Sequence, residues 1–212
     1  MTITHHPSDA TLAAYAAGNV DEARGLVVAT HLSLCGACRN AVRGFEAAGG
    51  ALLEAAEPAE LSTGALQRAM AALGPLDIIA PGAPGAATAS DLPAPLSHYA
   101  VGPWRWIGRG VQWRPVEVAS EEGVRVFMLM ARPGTKLPRH RHTGTEWTCV
   151  FDGAFTHALG RYGAGDFDEA DESVEHDPVV DGAHGCVCLV ALQGHIELQS
   201  WLGRLIQPFV RI

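Results

Sequence analysis

The chain has 212 residues, of which 48% are hydrophobic, and a formal net charge of −8. That is enough apolar material for real cores and rules out a disordered chain; the length leaves room for two small domains or one large one. Both halves are net acidic, which speaks against direct nucleic-acid binding, since that wants clustered positive charge. An acidic protein can still bind a basic partner.

No window approaches the roughly 18 continuous apolar residues of a membrane span. The N-terminus, MTITHHPSDA, lacks the charged-then-apolar layout of a signal peptide. A cytoplasmic protein without membrane contact is therefore expected. In that reducing compartment Cys35, Cys38, Cys149, Cys186 and Cys188 are thiols or ligands rather than staples.

Residues 8–73 read as helices. Ser8 or Asp9 caps a first short helix and Gly18 ends it. A second follows Asn19, with Asp21 and Glu22 in its first turn, where the dipole favours acids; it runs to about His31. A third starts near Cys35 and continues through Phe45 and Leu53. A fourth, from Ala59 to Leu73, puts Leu61, Leu66, Met70 and Leu73 near helical spacing. Those four are either domain core or a face for a partner.

The composition then shifts. Residues 76–97 are rich in Pro, Gly and Ala and read as an extended, mobile linker. From Tyr99 onward short apolar runs alternate with turn residues. Strands are expected at Val116–Val118, Val124–Leu129, Glu146–Phe151 and Gly185–Val190. Turns are expected at Arg132-Pro133-Gly134, Asp152-Gly153, Gly163–Asp166 and Asp181-Gly182. Many short strands at regular spacing argue a sandwich or a closed barrel. The fold class is therefore α+β in two domains: helical residues 1–75, and an all-β barrel over 98–212.

Two metal-ligand patterns stand out. In the first, Cys35 and Cys38 lie one helical turn apart at a helix start, where the dipole lowers thiol pKa. His31 sits four residues upstream, at the end of the preceding helix. Tetrahedral zinc needs a fourth ligand, and this half offers His5 or His6; His6, next to the capping segment, is the better placed. Zn2+ is the cofactor expected there, and a helical unit this small depends on it. A buried apolar Cys pair or a redox pair is the bland alternative.

In the second, His140 and His142 alternate along a strand and point to one face. Glu146 follows a turn, and a later histidine joins from a neighbouring strand. His176 is favoured over His184. Imidazole and carboxylate suit Zn2+, Fe or Mn. His157, His195 and His98 read as ordinary polar or partly buried histidines. Cys186 and Cys188 share one face of a strand. They are either an oxidisable pair near the metal or small core residues.

On these residues, His6 with His31-x3-Cys35-x2-Cys38 resembles the zinc-binding domain of bacterial anti-sigma factors. Gly134-x5-His140-x-His142-x3-Glu146-x6-Gly153 is similar to the first cupin motif in full. Tyr162–Phe167 resembles the start of the second motif, which then departs: an acidic insertion precedes His176 and the usual Pro-Gly pair is absent. In this order the two resemble the ChrR-type anti-sigma factors. The resemblance implies a jelly-roll barrel and a 1:1 complex with an extracytoplasmic-function sigma factor. It also implies release of that factor when the cupin half senses singlet oxygen or peroxides. No catalytic residue is expected. The competing reading is a cupin metalloenzyme of dioxygenase type with an accessory zinc domain.

Overall fold

The computed structural model describes residues 2–73, 92–108, 110–119 and 123–199. The helices are α1 (Asp9–Ala16), α2 (Glu22–Leu34), α3 (Gly36–Ala55) and α4 (Ala65–Ala72), with a 3-10 turn at Ala94–His98. Ser8 caps α1 by accepting from the Thr11 N–H, and Asp21 caps α2 by accepting from Arg24. The fourth helix begins at Ala65 rather than at Ala59. Gly64 precedes it in the left-handed region, at φ +78, and that turn resets the chain direction before helical dihedrals can start. Most of the expected linker lies outside the described residues.

The strands are β1 (Arg105–Gly108), β2 (Val111–Val116), β3 (Arg125–Ala131), β4 (His140–His142), β5 (Glu146–His157), β6 (Gly160–Gly163), β7 (Phe167–Ala170), β8 (Glu175–His176), β9 (Val179–Val180), β10 (Cys186–Leu192) and β11 (Ile196–Leu198). All pairings are antiparallel. One sheet runs β1-β2-β3-β10-β5-β6, with β7 and β9 also on β5, and faces a smaller sheet in the order β11-β4-β8.

Two expectations change here. The strand read at Val116–Val118 lies upstream, ending at Val116 and including Pro115. Asp152-Gly153 is not a turn but the interior of a 12-residue β5. The register of β5 on β10 slips at this point, leaving one extra residue between Val150 and Asp152. Such a bulge bends the strand from one layer into the other. Gly153, at φ +72, allows it, since a Cβ there would stand 1.7 Å from the Gly185 carbonyl oxygen.

The runs VFMLM and CVCLVAL do not alternate apolar with polar, because both faces of this sheet are buried. Cys186, Cys188, Val190 and Leu192 of β10 point into the barrel with Phe127, Val150 and Phe155. Leu189 and Ala191 point outward into a second cluster. That cluster takes in Val126, Met128, Cys149 and Phe167, and also Leu26, Val27, Val28 and Leu32 of α2. The helical unit thus rests on the sheet through one continuous apolar layer. Arg24 of α2 reinforces it, donating to Thr145 (3.3 Å) and to Gln193. Leu189, fully buried in this layer, tests the packing. Leu189→Ala is expected to cost about 2–5 kcal/mol, as core leucine truncations do. Urea unfolding measures it, and a loss too small to resolve would mean the layer is loose.

Candidate metal centres

The first centre forms where α2 meets α3. Cys35 ends one helix and caps the next, with φ −101 and ψ 108. Its sulfur accepts from the Cys38 N–H at 3.5 Å. His31 stands in the last turn of α2 and Cys38 in the first turn of α3. The extended segment before α1 brings in His6.

Ligand atoms of these four residues lie within 4.8 Å of one another. His6 Nδ1 is 3.5 Å from Cys35 Sγ and 3.3 Å from Cys38 Sγ, and His31 Nε2 is 3.3 Å from Cys38 Sγ. Zinc bonds of 2.3 Å to sulfur and 2.0–2.1 Å to nitrogen would set tetrahedral ligands about 3.3–3.8 Å apart, so the donor set fits that ion. His5 is not in the group.

Burial pushes His31 down to about 4, with the Gly165 carbonyl opposing the shift, so its ring is neutral at pH 7. Burial, then the neighbouring Cys35, pushes the Cys38 thiol up to about 12. A cation among these groups would reverse that shift by favouring the thiolate.

The second centre lies inside the barrel. β4 pairs with β8 so that His140 stands directly opposite His176, and their Nε2 atoms are 3.0 Å apart. His140, His142 and His176 converge within 4.8 Å, all buried. His184 is exposed on the turn before β10. Glu146, at the start of β5, places Oε2 3.3 Å from His142 Nε2. Burial works against its charge, but His142, then His140 and His176, hold the carboxyl at about 2.

Among the described residues, Nδ1 of His142 and Nδ1 of His176 are buried without a hydrogen-bond partner, and His142 Nε2 has only the Glu146 carboxylate beside it. Orphaned polar atoms of this kind are costly and call for an ion or a ligand. The cluster opens on a cavity of about 380 Å³, lined by Phe127, Leu129, Leu137 and Phe155 among others.

Beside this cluster the sequence reading missed a pair. His157, read as an ordinary polar or partly buried histidine, is buried. Its Nε2 is 3.1 Å from Asp168 Oδ2, and together with His176 the pair forms a further group of candidate ligand atoms. One signal was available: His157 shares the strand parity of Phe155, which points inward. Cys186 and Cys188 also line this cavity, their sulfurs 3.4 Å apart. Contact with Cys186, then burial, raises the Cys188 thiol well above its ordinary range.

A β-barrel that closes histidines and a carboxylate over an apolar cavity, and carries a cysteine–histidine helical unit on its sheet, defines a cupin-like protein with an appended helical domain. The model of the ChrR cupin-like domain matches residues 95–196. Over 218 residues, covering all of both chains, the sequence is 43% identical to the anti-sigma-E factor ChrR of Cereibacter sphaeroides. The crystal structure of Rhodobacter sphaeroides SigE in complex with the anti-sigma ChrR matches with a TM-score of 0.72 and 39% identity, covering 91% of this chain and all of that one. The chain belongs to the ChrR family of anti-sigma factors, which are regulators and not enzymes.

Proposed function

We propose that the chain is a cytoplasmic anti-sigma factor that binds an extracytoplasmic-function sigma factor one to one through its helical unit. It releases that factor when the barrel senses oxidative stress, from singlet oxygen or peroxides. The full-length likeness to a protein crystallised with SigE supports the partner class.

The observation that carries the binding face is an unpartnered apolar surface. Beyond Phe45 every residue of α3 is exposed, and α4 has no fully buried side chain. Leu52, Leu53, Leu66 and Met70 are 75%, 78%, 67% and 60% exposed. An eight-residue helix with no buried side chain is not stable by itself in water; it needs a surface to lie on. Among the described residues no helix is long and apolar enough to cross a membrane.

The first centre takes Zn2+ as a structural clip, because His6, His31, Cys35 and Cys38 supply all four positions. The second takes Zn2+, Fe or Mn on His140, His142, Glu146 and His176. When bound, that ion supplies a Lewis-acidic position facing the cavity. The chain's own part is to hold three buried imidazoles and one carboxylate together, with apolar walls admitting a small molecule.

Co-expression tests the reading. An untagged extracytoplasmic-function sigma factor encoded beside this chain should co-purify with it. Leu66→Asp combined with Met70→Asp should weaken the complex by about 2 kcal/mol or more, roughly 30-fold. The fold should be unaffected, since neither side chain is buried. Full affinity in that variant would move the binding face elsewhere.

A further inference from the structure

Two sets of contacts run from the barrel to the first centre. The first concerns a proton. His31 is fully buried and turns Nε2 toward Cys38. Its other nitrogen, Nδ1, lies 2.7 Å from the carbonyl oxygen of Gly165, in the turn between β6 and β7. A carbonyl can only accept, so Nδ1 carries the proton and Nε2 keeps its lone pair, the tautomer a metal ligand needs. Gly165 has φ +91, and a Cβ there would stand 2.6 Å from Ile3 Cδ1. Only glycine lets the N-terminal segment close on this turn.

The second set concerns the segment that delivers His6. The Asp166 carboxylate is buried in the same turn. Its Oδ1 accepts from the N–H groups of Thr4 (2.6 Å) and His5 (2.9 Å), and its Oδ2 accepts from Gly163 (2.8 Å). Burial alone would raise this carboxyl, but the Gly163, His5 and Thr4 N–H groups hold it below its ordinary range, so it stays an acceptor. The His5 carbonyl accepts from Phe167 N–H at 3.1 Å, and the His5 ring lies 4.2 Å from that of Tyr162. Beyond His6, Glu169 of β7 accepts from Ser8 N–H (3.1 Å) and Thr11 Oγ1 (2.6 Å). The chain on both sides of His6 is therefore held by the barrel.

We propose that the barrel supplies the outer shell of the helical zinc site: the Gly165 carbonyl places the proton on His31, and Asp166 pins the segment bearing His6. The zinc affinity of one half is then set by the packing of a turn in the other. The same turn runs directly into β7, where Asp168 faces His157 and the barrel cluster. A displacement of β7 in the barrel is felt at the zinc clip, and the linkage holds in the reverse direction. Asp166 is a positioning residue; it touches no ligand atom of the site.

The proposal rests on the zinc reading of the first centre, and the test separates the two. Cobalt(II) is titrated into the metal-free full-length chain, and zinc then displaces it. Thiolate-to-cobalt absorption reports the Cys35–Cys38 centre, because the barrel cluster is built of imidazole and carboxylate. Absence of that absorption in the unmodified chain overturns the zinc reading and the proposal with it.

With the bands present, Asp166→Ala is expected to lower zinc affinity about 10–100-fold, the size typical of lost outer-shell contacts. Asp166→Asn keeps an oxygen for Thr4 and His5 and should recover much of the loss. A purely structural role would shift the unfolding midpoint and leave affinity alone. Wild-type affinity in Asp166→Ala overturns the proposal. If that variant does not fold, Thr4→Pro removes one donor from the N-terminal segment without touching the barrel. Reduced affinity there supports the proposal, and unchanged affinity overturns it.

Discussion

Cys38→Ala is expected to abolish complex formation with the sigma factor while leaving the barrel folded. Cys38 is the hub of the first centre: its sulfur lies 3.3 Å from both His6 and His31. Structural zinc in small domains is worth on the order of 10–16 kcal/mol, comparable with the whole stability of a domain. Losing one of four ligands therefore loosens the α2–α3 corner, while the segment before α1 keeps its contacts with Asp166 and Glu169. The barrel keeps its own interior, built of Phe127, Val150, Phe155 and Val190. Co-purification measures the first effect. Hydrogen exchange measures the second, with protection lost in α3 and kept in β10. A variant that binds its partner at full affinity would make the zinc clip dispensable.

Emptying the barrel centre is expected to do the opposite. A chain with His140→Ala and His142→Ala should still inhibit the sigma factor yet respond poorly to oxidant. Both residues stand on β4 of the small sheet β11-β4-β8, and His140 lines the cavity. Removing them also takes away the buried Nδ1 of His142, which has no hydrogen-bond partner among the described residues, so the metal-free barrel need not unfold. A reporter gene under the sigma factor, read with and without singlet oxygen, decides the matter. Normal induction would remove the sensing role. Constitutive expression would mean that the barrel supports the grip directly, a result that the shared apolar layer under α2 makes physically reasonable.

How far the centres were legible depends on how local each feature is. His31-x3-Cys35-x2-Cys38 can be read because one helical turn and one corner set its geometry. His140-x-His142 can be read because alternation on a strand puts both on one face. The choice of His6 over His5 had only its place next to the capping segment behind it, and that of His176 over His184 had no strong local basis. It follows from the N-terminal segment pairing with Asp166 and Phe167, and from the register that sets His140 opposite His176. His157 read as an ordinary histidine because its partner Asp168 reaches it only in the folded barrel.

The sequence by itself determined the four helices and the β half, the two ligand patterns with their different chemistry, and the absence of a long apolar span. Each of these is written in periodicity, capping and spacing, which act over a few residues. Only the tertiary structure decided that Gly153 bends a long strand, that VFMLM and CVCLVAL are buried on both faces, and that the helices rest on the barrel. It also decided that Gly165 and Asp166 reach across to His31 and to the segment bearing His6. These features come from contacts between residues distant in sequence, the helix–barrel ones more than a hundred positions apart. Burial of apolar surface is non-directional, so an apolar run states that a face will be covered without stating what covers it.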